Sequence, residues 1–382
     1  MAVAKTGKEL PQGIMLRKDG RYIGRFKYLG DTYTVYGKTV EETQEKLDDL
    51  KYETRHGLYE KETNLTVDAW FRTWMEQYKE STVKQGTVKT YTSFYGNYIA
   101  GRLGKLKLKD VRPEHIQKLY NDLHKQGLHR NTIEIVSIVL GGMYKQAYKN
   151  QLISKNPVPL ATLPKEAAHK ERRVLTREEQ KIFLEYAAGS QYAPIFEFAL
   201  STGMRGGEIK ALTWENVNFG KEIIAVRHTL IKSGKEYALD TPKTGSSYRD
   251  IPMMENVRTL LKRQKIWQQE SRLRLGELWN PAEGLENLVF TTAVGTPIDK
   301  EYLKNSIDRI VKKINKGGIE FEHITMHTFR HSFATRCIEN GMNPQTLKAI
   351  LGHSKLAMTM DLYAHVLPDQ KAEEIRKIAN LF

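Results

Sequence analysis

Alternating hydrophobic and polar residues near the start of the chain predict three short strands followed by a helix. The strands lie in GIMLRKDGRYIGRFKYLGDTYTVYG, with turn signals at Asp19-Gly20 and Gly30-Asp31. Thr39 and Glu42 then form the capping signature that marks the start of a helix. The helix carries an apolar stripe made of Val40, Thr43, Leu47 and Leu50.

The middle predicted strand has two chemically different faces. One face is aromatic and carries Tyr22, Phe26 and Tyr28. The opposite face is mostly basic and carries Arg21, Ile23, Arg25 and Lys27. We expect the apolar helix stripe to pack on the aromatic face, which leaves the basic face open. Such a face can enter a DNA groove, and the alternative is an ordinary solvated strand surface.

From Leu65 to about Asn156 the spacing of hydrophobic residues is helical throughout. Three buried stripes are predicted: Val67, Trp70, Phe71 and Trp74; Ile116, Leu119 and Leu123; Ile133, Val136, Leu140, Met143 and Ala147. The polar positions between them are rich in Lys, Thr, Tyr and Asn, residue types that suit phosphate contacts. Lys89 and Arg130 are the candidates chosen here for such contacts.

The remaining chain predicts a linker and a larger mixed segment. The stretch NPVPLATLPKEAAHKERR has three prolines and no hydrophobic period, so we expect an extended linker. Thr176 and Glu179 cap the next helix, and two β-rich runs follow within a mainly helical pattern. The predicted fold is multidomain: a small α+β domain with a three-stranded sheet plus helix (1–64), an all-α domain (65–156), the linker (157–173) and a mixed, mainly-α domain with a small β-sheet (174–382).

The net charge narrows the class of partner. The chain of 382 residues has 60 Lys and Arg against 45 Asp and Glu, a formal charge of +15. This excess favours a polyanion, most often nucleic acid, and binding that weakens with salt. The single cysteine, Cys337, excludes an intramolecular disulfide and a Cys-rich zinc site. With neither a membrane-length apolar run nor a signal peptide, we expect a cytoplasmic protein without a membrane partner.

Polar residues collect at four places that apolar packing does not explain. Arg205 follows a helix that ends at Gly203, and Glu208 lies three residues further on. The Arg205 guanidinium can fork onto a phosphate, or simply pair with Glu208. Lys243 lies at a hairpin tip or edge in TPKTGSSYRDIPM, where a flexible ammonium can donate a proton.

The other two places lie near the end of the sequence. His327 and Arg330 are three residues apart at a predicted helix start, so they share one face and suit an anion. Gly352 and His353 end a further helix, and Tyr363 follows. A lone histidine or tyrosine is ordinarily structural, so the hypothesis rests on the combination.

Together these residues suit attack on a phosphodiester. An unperturbed tyrosine is only roughly one part in a thousand ionised at neutral pH, so its neighbours must activate it. Two arginines can neutralise the phosphate oxygens without a metal. A covalent phosphotyrosine keeps the bond energy, so neither ATP nor another cofactor is expected.

The array of Arg205, Lys243, HTFR at 327–330, LGH at 351–353 and Tyr363 resembles the active site of the tyrosine recombinases, the lambda-type integrase family. The 65–156 segment resembles the family's core-site-binding domain. The 1–64 segment resembles the arm-site-binding domain of phage and conjugative-transposon integrases. The resemblance covers nearly the whole chain.

The resemblance implies a role for each position. Tyr363 attacks the scissile phosphate and forms a 3′-phosphotyrosyl bond, while Arg205 and Arg330 clamp the phosphate. Lys243 protonates the leaving oxygen, with Lys232 and Lys235 as nearby rivals. His327 handles the tyrosine's proton and His353 hydrogen-bonds the phosphate.

The same resemblance implies an assembly on double-stranded DNA. Four protomers exchange strands in pairs through a four-way junction, each enclosing a core site. The apolar stripe of the last residues, Ala372, Ile375, Ile378, Ala379 and Phe382, docks on a neighbouring protomer or folds back on its own domain. A DNA-bending or excision factor is a further possible partner.

The resemblance points to an integrase of a prophage or conjugative transposon, and three other interpretations stay open. A host chromosome-dimer recombinase resembles only the last two segments. A type IB topoisomerase shares the chemistry but relaxes DNA. A non-catalytic DNA-binding regulator has the same fold, although an intact Tyr363 with both arginines argues against it.

Overall fold

The computed structural model describes residues 10–55, 64–165, 173–234, 236–241 and 245–366. Lys235, Lys243 and the predicted tail stripe from Ala372 to Phe382 lie outside the described residues. Contacts divide the chain into two compact units, Met1–His169 and Lys170–Phe382. Within the described ranges, no helix is long and apolar enough to cross a membrane.

The first unit begins with the predicted three-stranded sheet and helix. The elements are β1 (Ile14–Leu16), β2 (Tyr22–Tyr28), β3 (Asp31–Gly37) and α1 (Val40–Arg55), with β2 central and antiparallel to both neighbours. Ile14, Tyr22 and Leu47 form the buried core between the sheet and the helix. The β2–β3 turn uses Leu29 and Gly30, both with positive φ, one residue earlier than the predicted Gly30-Asp31 turn.

The two faces of the sheet differ largely as predicted. Phe26 stacks on Tyr33 with ring centroids 5.1 Å apart, on the side that carries the core. On the other side Arg25 pairs with Thr34 and Lys27 with Thr32, and both basic side chains are exposed. Ile23 on this same side is buried, so it interrupts the exposed basic surface between Arg21 and Arg25.

The rest of the first unit is helical. Its helices are α2 (Val67–Trp74), α3 (Gln85–Phe94), α4 (Gly101–Leu103), α5 (Pro113–Lys125) and α6 (Arg130–Lys149). The predicted stripes are all buried and form one core, in which Phe71 stacks on Tyr95 with centroids 3.6 Å apart. π-helical turns extend α2 over Met75–Lys79 and α3 over Tyr95–Ala100.

The first half of the predicted linker packs against the helical core, with one 3-10 turn at Val158–Leu160. Val158 is buried in the helical core, and Ala161 and Leu163 pack against that core. The Gln117 side chain also accepts from the Thr162 amide at 2.8 Å and donates to its carbonyl at 3.0 Å. These apolar residues lack a regular period, so the sequence pattern did not reveal that the helices of this unit cover them.

The second unit combines eight helices with two small sheets among its described residues. The helices are α7 (Arg177–Ala187), α8 (Ala193–Thr202), α9 (Gly206–Lys210), α10 (Glu255–Leu275), α11 (Lys300–Lys316), α12 (Met326–Glu339), α13 (Pro344–Leu351) and α14 (Ala357–Val366). The strands are β4 (Val217–Asn218), β5 (Ile223–Val226), β6 (Thr229–Ser233), β7 (Glu236–Asp240) and β8 (Arg249–Pro252). One antiparallel sheet has the order β4-β5-β8, and β6 and β7 form a separate hairpin. The predicted fold class is therefore confirmed.

A phenylalanine-rich core holds the second unit together. Phe183 on α7, Phe196 on α8 and Phe329 on α12 are fully buried and lie within 5.6 Å of one another, centroid to centroid. The predicted capping box at the start of α7 is present, with reciprocal bonds of 3.0 and 2.7 Å between Thr176 and Glu179. The ends of α8 and α12 that carry polar residues are thus fixed by apolar packing.

Candidate active site

The turn between α8 and α9 positions Arg205. Gly203 ends α8 with φ +62°, and a Cβ there would lie 2.4 Å from Cδ1 of Phe333, so only glycine fits. Arg205 is the N-cap of α9, and its amide donates to Glu208 Oε2 at 2.9 Å. Its Nη1 donates to Glu208 Oε1 at 2.8 Å. The predicted local ion pair is therefore present, and it fixes the guanidinium rather than using all of its donors.

Helix α12 brings Arg330 to the same place. The Arg330 side chain is 5% exposed; Nη1 donates to the Gly203 carbonyl at 2.8 Å and Nη2 to the Leu351 carbonyl at 2.7 Å. Arg205 Nη2 donates to the next carbonyl, that of Gly352, at 3.1 Å. The Gly203 carbonyl lies at the end of α8 and the other two at the end of α13, where carbonyls lack helical partners, which explains why guanidinium groups bind there.

His327 lies one turn before Arg330 on α12 and faces the same charges. Burial of part of the ring and the charges of Arg330 and Arg205 lower the pKa of His327 below its usual range. A neutral imidazole can accept a proton. Burial, followed by the charge of Arg205, lowers the pKa of Arg330 to about 9, which keeps this guanidinium charged at neutral pH.

Arg249 is a residue of this site that our sequence analysis missed. Its guanidinium forms a buried ion pair with Glu208, with Nη2 2.8 Å from Oε2 and both side chains 5% exposed. We call Arg205, Arg249, Arg330 and Glu208 the arginine cluster. Arg249 and Ile251 are buried on β8 while Asp250 and Pro252 are exposed, so Arg249 faces inward. An arginine at an inward-facing strand position needs a buried acidic partner.

The LGH loop contributes His353 to the edge of this cluster. Gly352 caps α13 with φ +66°, and His353 follows with only 7% of its surface exposed. Its Nδ1 lies 2.9 Å from the hydroxyl of Thr359 on α14. That bond sets the orientation of the imidazole ring.

Tyr363 takes part in a different set of contacts. Its hydroxyl donates a hydrogen bond to the carbonyl of Met342, in the turn between α12 and α13. The ring packs on an apolar cluster that includes Leu347, Leu351 and Leu362. Burial and the neighbouring Cys337 thiol raise the pKa of Tyr363. Among the described residues its hydroxyl has no hydrogen bond to Arg205 or Arg330, and the raised pKa keeps the phenol uncharged at neutral pH.

The lysine assignment has one rival within the described residues. Lys232 on β6 pairs with Asp299, Nζ to Oδ2 at 2.5 Å. Hydrogen bonds to Asp299 and Tyr237 raise the pKa of Lys232, which makes it a weaker proton donor. Lys243 and the other rival, Lys235, lie outside the described residues, so the role of Lys243 stays a prediction.

The predicted DNA contacts differ in how open they are. Arg25, Lys27 and Lys89 are exposed, the last on α3. Arg21 is exposed beside Asp19, with 3.2 Å between Nη2 and Oδ2. Arg130 is half-buried, and its Nε donates to the Pro164 carbonyl at 3.0 Å. Arg130 therefore holds the chain that leaves the helical core, and its contact with DNA, like the other four, stays a prediction.

Comparison with known proteins places this geometry in a family. The model of the phage integrase family matches residues 173–370, and that of the phage integrase N-terminal SAM-like domain matches residues 66–124. A tyrosine recombinase XerC-like protein of Caldanaerobacter subterraneus subsp. tengcongensis is 29% identical, with 91% of each chain covered. The transposase from transposon Tn916 of Enterococcus faecalis is 26% identical, covering 97% of this chain and 95% of its own.

Solved structures give the same result. The integrase of transposon Tn1549, in complex with transposon right end DNA, matches with a TM-score of 0.71 and 27% identity over 82% of this chain and all of that one. A lambda integrase dimer bound to a core site has a TM-score of 0.57 at 17% identity, over 93% of this chain and 95% of its own, and shows the shared fold. The chain belongs to the phage integrase family and is a DNA-binding, site-specific tyrosine recombinase.

Proposed function

We propose that this recombinase integrates and excises a mobile element, a conjugative transposon or prophage, at specific DNA sites. Similar proteins are named for transposon Tn916 and as the ICEBs1 integrase of Bacillus subtilis, the latter 25% identical over 72% of this chain. The similar Tn1549 integrase forms complexes with transposon right end DNA and with a circular intermediate DNA. The sheet of the first unit, which resembles an arm-site-binding domain, also favours an integrase over a chromosome-dimer recombinase.

The observation that carries the proposed chemistry is the convergence of Arg205 and Arg330 on adjacent carbonyls. The positive charge of Arg205 disfavours the charged form of Arg330, and Glu208 offsets only part of this effect. An anion bound between the two guanidiniums relieves that repulsion. A phosphodiester is such an anion, and its charge grows over the non-bridging oxygens during transfer.

In the proposed reaction the phenolic oxygen of Tyr363 attacks the scissile phosphorus. A new P–O bond forms to the tyrosine as the bond to the 5′ oxygen breaks, which leaves a 3′-phosphotyrosyl bond. His327 accepts the phenolic proton, Lys243 gives a proton to the leaving 5′ oxygen, and His353 donates to the phosphate. A 5′-hydroxyl from a second duplex reverses the steps and rejoins the strands without ATP.

Before it attacks, Tyr363 has to leave the Met342 carbonyl. In this contact the phenol donates its hydrogen bond to that carbonyl and its pKa is raised. Both features oppose ionisation. We propose that the departure of α14 from this position accompanies assembly on DNA. The nucleophile then becomes reactive only where four protomers and two DNA sites are in place.

The proposed division of labour follows the units. The helical part of the first unit, with Lys89 and Arg130, binds core-type sites, and the sheet face with Arg21, Arg25 and Lys27 binds arm-type sites. Four copies act together and exchange their C-terminal tails, with a bending or excision factor as a further partner. The proposed location of this enzyme is the bacterial nucleoid, within the cytoplasm.

The test uses nicked duplexes made from both ends of the encoding element and their joined form. We expect a covalent protein–DNA adduct with the full chain and none with Tyr363→Phe. Removal of residues 1–64 is expected to abolish arm-site binding and to spare core-site cleavage.

Three results would contradict parts of this proposal. Tight binding without an adduct in the unaltered protein supports the regulator instead. Relaxation of plasmids that lack any site supports a topoisomerase. Loss of core-site cleavage in the truncated chain contradicts the division of labour.

A further inference from the structure

Three arginines from three different elements bind three consecutive carbonyls at the end of α13. Arg249 Nε donates to the Ile350 carbonyl at 2.5 Å, Arg330 Nη2 to Leu351 at 2.7 Å, and Arg205 Nη2 to Gly352 at 3.1 Å. Arg205 and Arg330 are the proposed phosphate clamp. Arg249 is the member of this set that has no role in the proposed reaction.

The remaining donors of Arg249 are directed at Glu208. Nη1 lies 3.2 Å from Oε1 and Nη2 lies 2.8 Å from Oε2, a bidentate pair. The same carboxylate accepts from Arg205, side chain and amide. Glu208 therefore has one negative charge between two arginines. Because Arg249 neutralises most of it, the charges of Arg205 and Arg330 stay available for an anion.

Gly352, at the end of α13, packs closely against Arg249. A Cβ on Gly352 would lie 3.1 Å from Cδ and 3.1 Å from Nη1 of Arg249, and 3.1 Å from the Ser246 carbonyl. Arg249 also donates to the Ser247 carbonyl at 3.2 Å. This one side chain thus contacts α9 through Glu208, the loop before His353, and the turn that precedes β8.

We propose that Arg249 is a positioning residue for phosphate, holding Glu208 and the end of α13 (350–352) so that Arg205 presents its guanidinium to the scissile group. The assignment rests on the proposed function. Arg249 itself has no contact with the reacting atoms in this account, since its donors go to Glu208 and to two carbonyls. Its effect passes through Arg205 and the loop.

The test compares adduct formation on a nicked duplex by Arg249→Met, Arg249→Lys and the double variant Arg249→Met/Glu208→Gln. Arg249→Met is expected to slow the single-turnover rate at saturating DNA by about 100-fold, the effect of a misplaced group. Arg249→Lys, which keeps the charge but not the fork, is expected to lose less. The double variant is expected to recover about tenfold over Arg249→Met, because no unpaired carboxylate remains to hold Arg205.

The pH profile separates positioning from simple folding. Burial raises the pKa of Glu208, but the hydrogen bonds and charge of Arg249, with a smaller part from Arg205, lower it overall. Arg249→Met removes the main lowering cause, so the rate is expected to change at a higher pH as the carboxylate takes up a proton. That shift is expected to be absent from the double variant. Arg258→Met, which removes an exposed pair with Glu222, serves as the control and is expected to leave rate and profile unchanged.

Each outcome decides the assignment. Rates are normalised to the folded fraction, measured by circular dichroism, and Arg249→Lys supplies the answer if Arg249→Met does not fold. Equal rates and pH profiles in the unaltered protein and the Arg249 variants overturn the positioning role while leaving the proposed function intact. An unaltered protein that forms no adduct overturns both.

Discussion

The arginine cluster and Tyr363 differ in how far each is assembled for reaction. The arginines are locked to carbonyls and to Glu208, and Arg330 is 5% exposed. Tyr363 donates to a carbonyl, and its pKa is raised. The arginine cluster and Tyr363 nevertheless share one residue, Leu351. Its carbonyl accepts a hydrogen bond from Arg330, and its side chain belongs to the apolar cluster that packs against Tyr363. The proposed phosphate-binding arginines are thus already fixed in place, whereas the proposed nucleophile, Tyr363, is bonded elsewhere.

Because the arginines are in place and Tyr363 is not, phosphate binding and attack on the phosphate become two separate steps in the proposed mechanism. A preorganised pair of guanidiniums costs no rearrangement when the phosphate arrives. In the proposed mechanism the neutral, hydrogen-bonded phenol attacks only after α14 has moved. If the proposed roles hold, the enzyme can bind a phosphate without breaking the DNA strand.

The largest expected effect on the rate comes from substituting Arg330, a member of the arginine cluster. Arg330→Lys keeps a positive charge but cannot reach the Gly203 and Leu351 carbonyls together. We expect the rate of adduct formation on a nicked duplex to fall by about 10²- to 10³-fold, as when an oxyanion donor is lost. The measurement is the single-turnover rate at saturating DNA.

Arg336→Lys on the same helix is the matched control. Arg336 pairs with Glu339 and the Leu175 carbonyl, away from the cluster. Its adduct rate is expected to equal that of the unaltered protein. If the rate of Arg330→Lys equals that of this control, the fixed position of Arg330 does not contribute to the reaction.

A smaller effect is expected from Gly203→Ala. The positive φ and the 2.4 Å approach to Phe333 both oppose a methyl group, so the α8 end has to shift. We expect the free energy of unfolding to fall by about 1–3 kcal/mol, measured by urea denaturation. Gly189→Ala, where nothing lies within 4 Å of the added carbon, is the control and is expected to change stability little. Equal stabilities in the two variants would contradict the rigidity assigned to this turn.

Features that depend on neighbouring residues were predictable from the sequence. The stripe from Ile133 to Ala147, the Thr176–Glu179 capping box and the glycine end of α8 follow from spacing and local sterics. Arg205, His327 and Arg330 could also be chosen, because each lies at a helix start beside residues of matching chemistry.

Features that join distant parts of the chain were not predictable. The Arg249–Glu208 pair links residues 41 positions apart, and the Tyr363–Met342 bond links residues 21 apart. No local spacing encodes such a contact, which arises only when the helices pack. The buried part of the predicted linker fails for the same reason, since Val158 becomes apolar core only when the surrounding helices cover it.

The smallest expected effect concerns the hydrogen bond that Tyr363, the proposed nucleophile, makes with Met342. In the free protein Tyr363→Phe removes the hydrogen bond to Met342 and leaves that carbonyl without this donor. We expect the free energy of unfolding to fall by about 0.5–1.5 kcal/mol near neutral pH. The pKa of Tyr363 is raised in the folded protein, so its stabilising contribution is complete below the unfolded value of about 10 and is lost as pH rises through the folded pKa.

Urea denaturation of both proteins between about pH 8 and about pH 11 measures this contribution, since the two curves are expected to converge only above about pH 10. Tyr148→Phe, an exposed tyrosine, is the control and is expected to show no such difference. A Tyr363→Phe protein as stable as the unaltered one at neutral pH would mean that the phenol does not rest on Met342 in solution. The nucleophile would then be as ready as the arginines, and the control of cleavage would have to lie in DNA binding alone.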